Sequence, residues 1–451
     1  MTAPERRATL SLSSIYALRM LGLFMILPVL SLFAEQMEGA TPVLIGLSIS
    51  VYGLTQAILQ IPFGLLSDRF GRKKIIIIGL ILFSAGSMVA AVSTTIYGVL
   101  IGRAIQGSGA IAAAIMALVA DLTQEVHRTK AMASIGASIG VSFGVAITLG
   151  PIIASYVGIA GIFWLTGILS LLAILVVLFI VPNPTKSIVH RDAELVPGQF
   201  FKVLKNPDLL RLDYGIFVLH LCLTASFVVL PLLIRDAGIL VEDHWMVYLP
   251  ILVTSMAVIV PFIIVAEKKR KMKSVFVGAI VTLTLANIGM FSLFNHLWGL
   301  IGFLWLFFCG FNLLEATLPS LISKTAPGDL KGTAMGAYSS SQFMGAFVGG
   351  AVGGWLYGEM GVQTVFLFSA IATASWVIVA VFMKPPRYLA NMLISLDNVS
   401  FDKSDEFVSS LLAVPGVEEV KFHLEENVAY LKVDNKTLQK EALQSVLDQS
   451  V

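Results

Sequence analysis

The stretch Gly64-Leu65-Leu66-Ser67-Asp68-Arg69-Phe70-Gly71-Arg72-Lys73-Lys74 decides how the rest of the chain is read. An apolar run at 43–66 precedes it and another at 75–92 follows it. Roughly 17–25 mainly apolar residues cross the hydrocarbon core of a bilayer, and each run has that length. The stretch is therefore a short loop between two membrane spans. Gly64 and Gly71 permit a tight turn and a close helix approach. Arg69, Arg72, Lys73 and Lys74 make the loop strongly basic, the charge expected on the cytoplasmic side. Asp68 is an acid among these cations. A carboxylate so placed can cap the positive end of a neighbouring helix and pair with nearby cations.

Working outward, the same pattern continues. The chain has 451 residues, 57% hydrophobic and 13% charged. A soluble domain carries about 25% charged residues. Half that share cannot coat a water-facing surface of this size, and the mean hydropathy of +0.88 agrees. A lipid bilayer is thus the main solvent. A net charge of +2 gives nucleic-acid binding no support. Apolar runs predict spans near 12–34, 43–66, 75–92, 96–120, 131–156 and 162–181. Six more follow near 210–234, 245–266, 274–294, 297–322, 332–357 and 362–383. Arg6 and Arg7 precede the first run as in a signal peptide, but no small-residue cleavage site follows, so it is read as an uncleaved span. If the loops are assigned alternately to two sides, the lysines and arginines gather on one side, and Arg235 is alone on the other. That asymmetry places both termini in the cytoplasm, and a multi-pass protein of the cell (inner) membrane is expected.

Ionisable residues inside spans are costly and mark functional sites by default. Arg19, Arg103, His220 and Glu315 lie inside predicted spans. Glu315 is a candidate proton carrier, and His220 titrates near neutral pH without much tuning. Arg103 suits an anionic group, a protonatable acid or backbone carbonyls, and Arg19 can snorkel to the nearer surface. Asp213 and Asp236 sit near helix ends and read as solvated. Gly136, Gly140, Gly144 and Gly150 in the fifth span have a counterpart two hundred residues later in Gly336, Gly345, Gly349, Gly350, Gly353 and Gly354 of the eleventh. Such rows let helices pack closely, and packing within the molecule is expected of both. Phe24, Phe143, Trp305, Phe311 and Phe347 are apolar candidates for core, lipid face or cavity wall. Cys222 and Cys309 lie in apolar runs and form no metal or disulfide motif. No cofactor, no metal site and no nucleophile–base arrangement is expected, so an enzyme is not.

The opening stretch completely matches the GxxxDRxGRK signature of the major facilitator superfamily, which the chain resembles. Arg103-Ala104-Ile105-Gln106-Gly107-Ser108-Gly109 is similar to the superfamily's RxxxGxG pattern. Gly150-Pro151 resembles the Gly-Pro motif of its drug/proton antiporter branch, although Ile152, Ile153 and Ala154 follow where that branch favours glycines. The resemblance covers essentially the whole chain. It implies two pseudo-symmetric six-helix bundles, at 1–181 and 209–387, joined by a cytoplasmic linker at 182–208. It also implies a latch of Gly64, Asp68, Arg69, Gly71, Arg72, Lys73 and Asp121. In that latch Asp68 docks on the start of the eleventh helix near Leu330 to Thr333 and Arg72 pairs with Asp121, closing the cytoplasmic side. Gly150 and Pro151 would shape a bend in the fifth helix.

Residues 388–451 form a separate small α+β unit. Strands are expected at 392–396, 417–424 and 428–433, and helices at 404–413 and 437–447, with a turn at Glu425-Glu426-Asn427. Val414-Pro415-Gly416-Val417 resembles ferredoxin-like heavy-metal-associated domains, but the loop Asn398 to Asp402 carries no cysteine, so soft-metal chelation is not expected. An exposed strand edge suits a protein partner or a second copy of the chain. Three functions stay open: proton-driven antiport exporting small apolar or cationic molecules, proton symport importing a metabolite or sugar, and a membrane sensor signalling through the C-terminal unit.

Overall fold

The computed structural model describes residues 1–183, 200–327, 330–384, 390–395, 404–423, 428–434 and 437–448. The first helix, α1 (Ala3–Phe24), starts nine residues before the expected span because Thr2 and Glu5 form a reciprocal capping box. Turns around Pro28 separate it from α2 (Leu30–Ala34), so the first span is broken. It is followed by α3 (Pro42–Phe70) and α4 (Arg72–Val92). Gly71 divides them at φ 99°, a left-handed value that favours glycine. The fourth span is likewise broken, into α5 (Ile96–Ser108) and α6 (Ala112–Asp121).

One helical run, α7 (Glu125–Phe179), covers the fifth and sixth spans. Its 55 residues would make about 80 Å of straight helix, far more than one hydrocarbon thickness. Gly158, at φ 66°, folds it back. Pro151 lies within helical geometry, so the non-helical point is Gly158 rather than the Gly150-Pro151 pair. Gly150 instead admits the broken first span: a Cβ there would lie 2.8 Å from the Met25 carbonyl oxygen.

The second half holds α8 (Phe200–Leu204), α9 (Pro207–Asp236), α10 (Trp245–Lys268), α11 (Met272–Leu293), α12 (Leu297–Thr325), α13 (Lys331–Met360) and α14 (Val362–Val381). Most of the expected linker lies outside the described residues, but its end is helical, with Val203 of α8 buried in the core. Among the described residues, nine helical stretches are long and apolar enough to cross a membrane, and Lys130–Phe179 holds two crossings. With the broken first span and the glycine- and serine-rich α13, the described helices are consistent with the expected twelve spans.

The C-terminal unit comprises β1 (Ala390–Ser395), α15 (Ser404–Ala413), β2 (Val417–His423), β3 (Val428–Val433) and α16 (Lys440–Asp448). Its antiparallel sheet has the order β1-β3-β2 and packs Leu411, Val417, Leu431, Val433 and Leu443 into a small core. The expected turn at 425–427 and the loop at 398–402 lie outside the described residues. Asp434, just past β3, grips Arg270 of the α10–α11 loop at 2.6 and 3.1 Å. Arg270, at φ 53°, is the one non-glycine with positive φ among the described residues. It occupies in the second half the place that Gly71 holds in the first.

Candidate functional site

At the loop of Gly64 to Lys74, the buried Arg72 guanidinium gathers acceptors from Ser67, Asp68 and Asp121 among the described residues. It pairs with Asp68, donates to Ser67 Oγ at 2.9 Å and reaches Asp121 at the end of α6 at 3.3 Å. Lys73 donates to the Val181 carbonyl at 2.6 Å, tying α4 to the end of the sixth span. Arg69 is exposed and lies over the Phe70 ring at 5.4 Å. A Cβ on Gly64 would sit 3.2 Å from Ala113 of α6. Among the described residues, Asp68 bonds Arg72. The expected Arg72–Asp121 pair is present, and among the described residues no hydrogen bond or ion pair joins Asp68 to α13.

The halves meet at the opposite, or far, end. Gly46 of α3 faces Gly350 and Gly354 of α13, and Gly354 also faces Pro42. Arg235 pairs with Glu35 across the halves at 2.7 Å. The single cation of the far side thus bridges the bundles, a role its isolation in sequence did not reveal. The glycine rows differ correspondingly. Gly345 and Gly349 press on the Phe217 and Leu221 carbonyls of α9, whereas Gly136, Gly140 and Gly144 of α7 have nothing within 4 Å. Close packing is thus made along α13 and at Gly150 of α7, but not at Gly136, Gly140 and Gly144 in this conformation.

Exposed ion pairs contribute about 0.2–1 kcal/mol. Since both Arg235 and Glu35 are about a third accessible, the Arg235→Glu variant is expected to shift the resting equilibrium toward far-end opening by about fivefold or less. The Glu35→Arg, Arg235→Glu double exchange should restore it. Spin-label distances between α2 and α9 read the shift, and no change in the single variant would show the pair to be incidental.

Two buried arginines stiffen the first half. Arg103 is fully buried and donates to the Ser48 and Ile49 carbonyls of α3 at 3.3 and 3.2 Å and to Gln106 at 3.0 Å. It also lies over the Tyr52 ring at 5.0 Å. Every one of these contacts joins α5 to itself or to α3, so Arg103 ties two helices together. Arg19 is buried, too deep to snorkel, and donates to Gln56.

The second half holds an acid inside a span. Glu315 of α12 keeps 36% of its side chain accessible. Gln342 of α13 donates to Glu315 Oε1 at 3.5 Å and lies 2.8 Å from His220 Nε2. His220 Nε2 is 3.9 Å from Glu315 Oε2. One turn before Glu315, Phe311 stacks on Phe143 of the first half at 6.0 Å. Phe24, Phe307 and Phe308 complete this aromatic contact between bundles. Trp305 instead donates to Thr254 at 3.0 Å. Sequence reasoning missed Gln342, whose neutral side chain gives no charge signal, and misread Asp213. That carboxylate is 5% exposed, because the helices around α9 cover it. Asp236 is exposed beside Arg235.

Two packed helix bundles with a basic loop between α3 and α4 agree with the family comparison. The Major Facilitator Superfamily model matches residues 12–350 and 273–393. The chain belongs to this superfamily. It is 46% identical to the inner membrane transport protein YajR of Escherichia coli (strain K12), over 100% of this chain and 99% of that protein. It is 25% identical to the quinolone resistance protein NorA of Staphylococcus aureus (strain MSSA476), over 80% of this chain and 92% of the relative. Among solved structures, a bacterial homologue of the human lysosomal transporter Spinster, described as inward-facing and occupied, shares the fold at a TM-score of 0.68 and 13% identity. That match covers 85% of this chain and 98% of the other. The superfamily chain is thus a multi-pass membrane transporter.

The amino terminus adds a clasp that the superfamily signature does not contain. Glu5 accepts from the Gln124 backbone at 2.8 Å, from Thr2 at 2.6 Å and from His127 at 3.0 Å. These donors, Gln124 first, hold its carboxyl well below the usual range, at about 2. A depressed carboxylate stabilises the fold above its ordinary value and loses that contribution as pH falls toward the lower one. Protease protection of the first turn of α1 should therefore decline between about pH 5 and 2 in the unmodified chain and stay level in Glu5→Gln. Equal profiles would remove Glu5 from the clasp.

Proposed function

We propose that the chain is a proton-coupled antiporter that exports small apolar or cationic molecules by alternating access, with both termini in the cytoplasm. Glu315 carries this reading. It is an acid inside a span, partly accessible, bonded by a neutral amide, one turn from the aromatic contact between the halves. An ionisable group so placed can exchange a proton on one side, then the other, as the bundles rock. The aromatic surroundings suit an apolar or cationic cargo. The name of NorA, a quinolone resistance protein, favours export of such cargo. The described conformation, joined at the far end and unlatched at Asp68, corresponds to the cytoplasm-open state. Closing that side would bring Asp68 to the start of α13.

Reconstituted vesicles with an imposed pH gradient test the direction, with a quinolone and a lipophilic cationic dye as probes. Antiport moves the probe against the proton flow. Probe accumulation along the proton flow would establish symport instead. The Arg270–Asp434 contact supports a regulatory part for the C-terminal unit, docked on the loop that repeats the latch.

A further inference from the structure

Asp213 has no role in the coupling scheme so far, yet its surroundings are unusual. Both carboxylate oxygens are buried and bond no protein group among the described residues. The positive end of a helix stabilises anions within its first turn, where Asp208 already sits paired to Arg211 at 2.7 Å. Asp213 lies beyond that turn. An ionised carboxylate shut away from water and from any cation is expensive to keep, and a neutral one is not.

The groups around it are few. From α13 comes Tyr338, 3% exposed, whose hydroxyl is also buried without a partner. Tyr338 lies within electrostatic reach of both Asp213 and Glu315. Lys331 opens α13, Glu315 belongs to α12, and α14 has no ionisable side chain. Lys202 and Lys205, at α8, are exposed. None of these cations pairs with Asp213. Seven residues on, His220 occupies the same face of α9, about 10 Å along the axis. Tyr338 and Gln342, four apart, share a face of α13. Asp213 and His220 on α9, and Tyr338 and Gln342 on α13, thus set polar groups along two helices, one of which carries the Gln342 contact to Glu315.

We propose that Asp213 is a second proton-binding site of this half, linked to Glu315 through the Tyr338 hydroxyl, so that the loaded transporter holds more than one proton. The inference rests on Glu315 being the coupling carboxylate. Protons reach Glu315 from the space between the bundles, and the phenol passes them to Asp213. Retention there leaves Glu315 free to exchange with cargo.

Infrared difference spectra of the full chain in lipid vesicles test this, recorded through a pH titration with the proton as the only ligand. Two protonated-carboxyl bands are expected. Asp213→Asn should delete one, Glu315→Gln the other, and Tyr338→Phe should keep both but shift them. A spectrum unchanged by Asp213→Asn overturns the second site while leaving Glu315 untouched. Bands unmoved by Tyr338→Phe overturn the link. A spectrum unchanged by Glu315→Gln alone strikes at the coupling reading instead, a separate failure.

Discussion

Replacing Glu315 with glutamine is expected to abolish gradient-driven accumulation of cargo while leaving exchange of cargo across the membrane nearly intact. Glutamine keeps the size of the side chain and its acceptor for Gln342, which donates to Oε1. It cannot bind or release a proton. The cavity geometry therefore persists, and only the link between proton and cargo is cut. Cargo-for-cargo exchange should stay within about threefold of the unmodified chain, under about 0.7 kcal/mol. The pH dependence of transport should flatten. Measurements in vesicles with and without an imposed gradient separate the two effects. Retained accumulation with its ordinary pH profile would remove Glu315 from the mechanism. Loss of both activities together would mean that the carboxylate binds cargo rather than protons.

Much of this site was legible before any coordinates. The stretch from Gly64 to Lys74 announced a loop between spans, and the loop charges set the expected alternation of sides. Glu315 and His220 stood out because charge inside an apolar run is rare. The rest depended on contacts that no local pattern encodes. Asp213 lies only a few residues into α9, which reads as solvated, yet the surrounding helices cover it. Gln342 is uncharged and follows a run of serines. Glu35 is one of several polar residues between the first two spans, and only the assembled bundles place it against Arg235. For Arg103 an anionic group, an acid and backbone carbonyls were all open, and its hydrogen bonds reach the α3 backbone and Gln106 of its own helix. Whether a polar group faces a helix or a cavity is decided by packing between distant segments.

The glycines show the same limit and lead to the other large effect. On α13, Gly349 and Gly350 are neighbours in sequence but serve different joints. A Cβ at Gly349 would lie 2.2 Å from the Leu221 carbonyl oxygen and 2.8 Å from its Cα, within the same bundle. A Cβ at Gly350 would meet Ser50 Cβ at 2.5 Å and the Gly46 carbonyl at 2.8 Å, across the two bundles. Backbone cannot yield as a flexible side chain can. Gly349→Leu should therefore force α9 and α13 apart and destabilise the folded bundle by about 3 kcal/mol or more. It should be seen as loss of monodisperse protein or a large fall in Tm. Gly350→Leu obstructs a joint that must open in every cycle anyway. The bundle should fold with nearly unchanged Tm, while the far end is held open and transport stops. Spin-label distances between α3 and α13 would lengthen in this variant. The contrast is the test: if both substitutions unfold the protein, or both leave transport running, the α3–α13 contact is not a moving joint. If only the first unfolds it, the same glycine-rich helix holds its own bundle together on one face and gates the passage on the other.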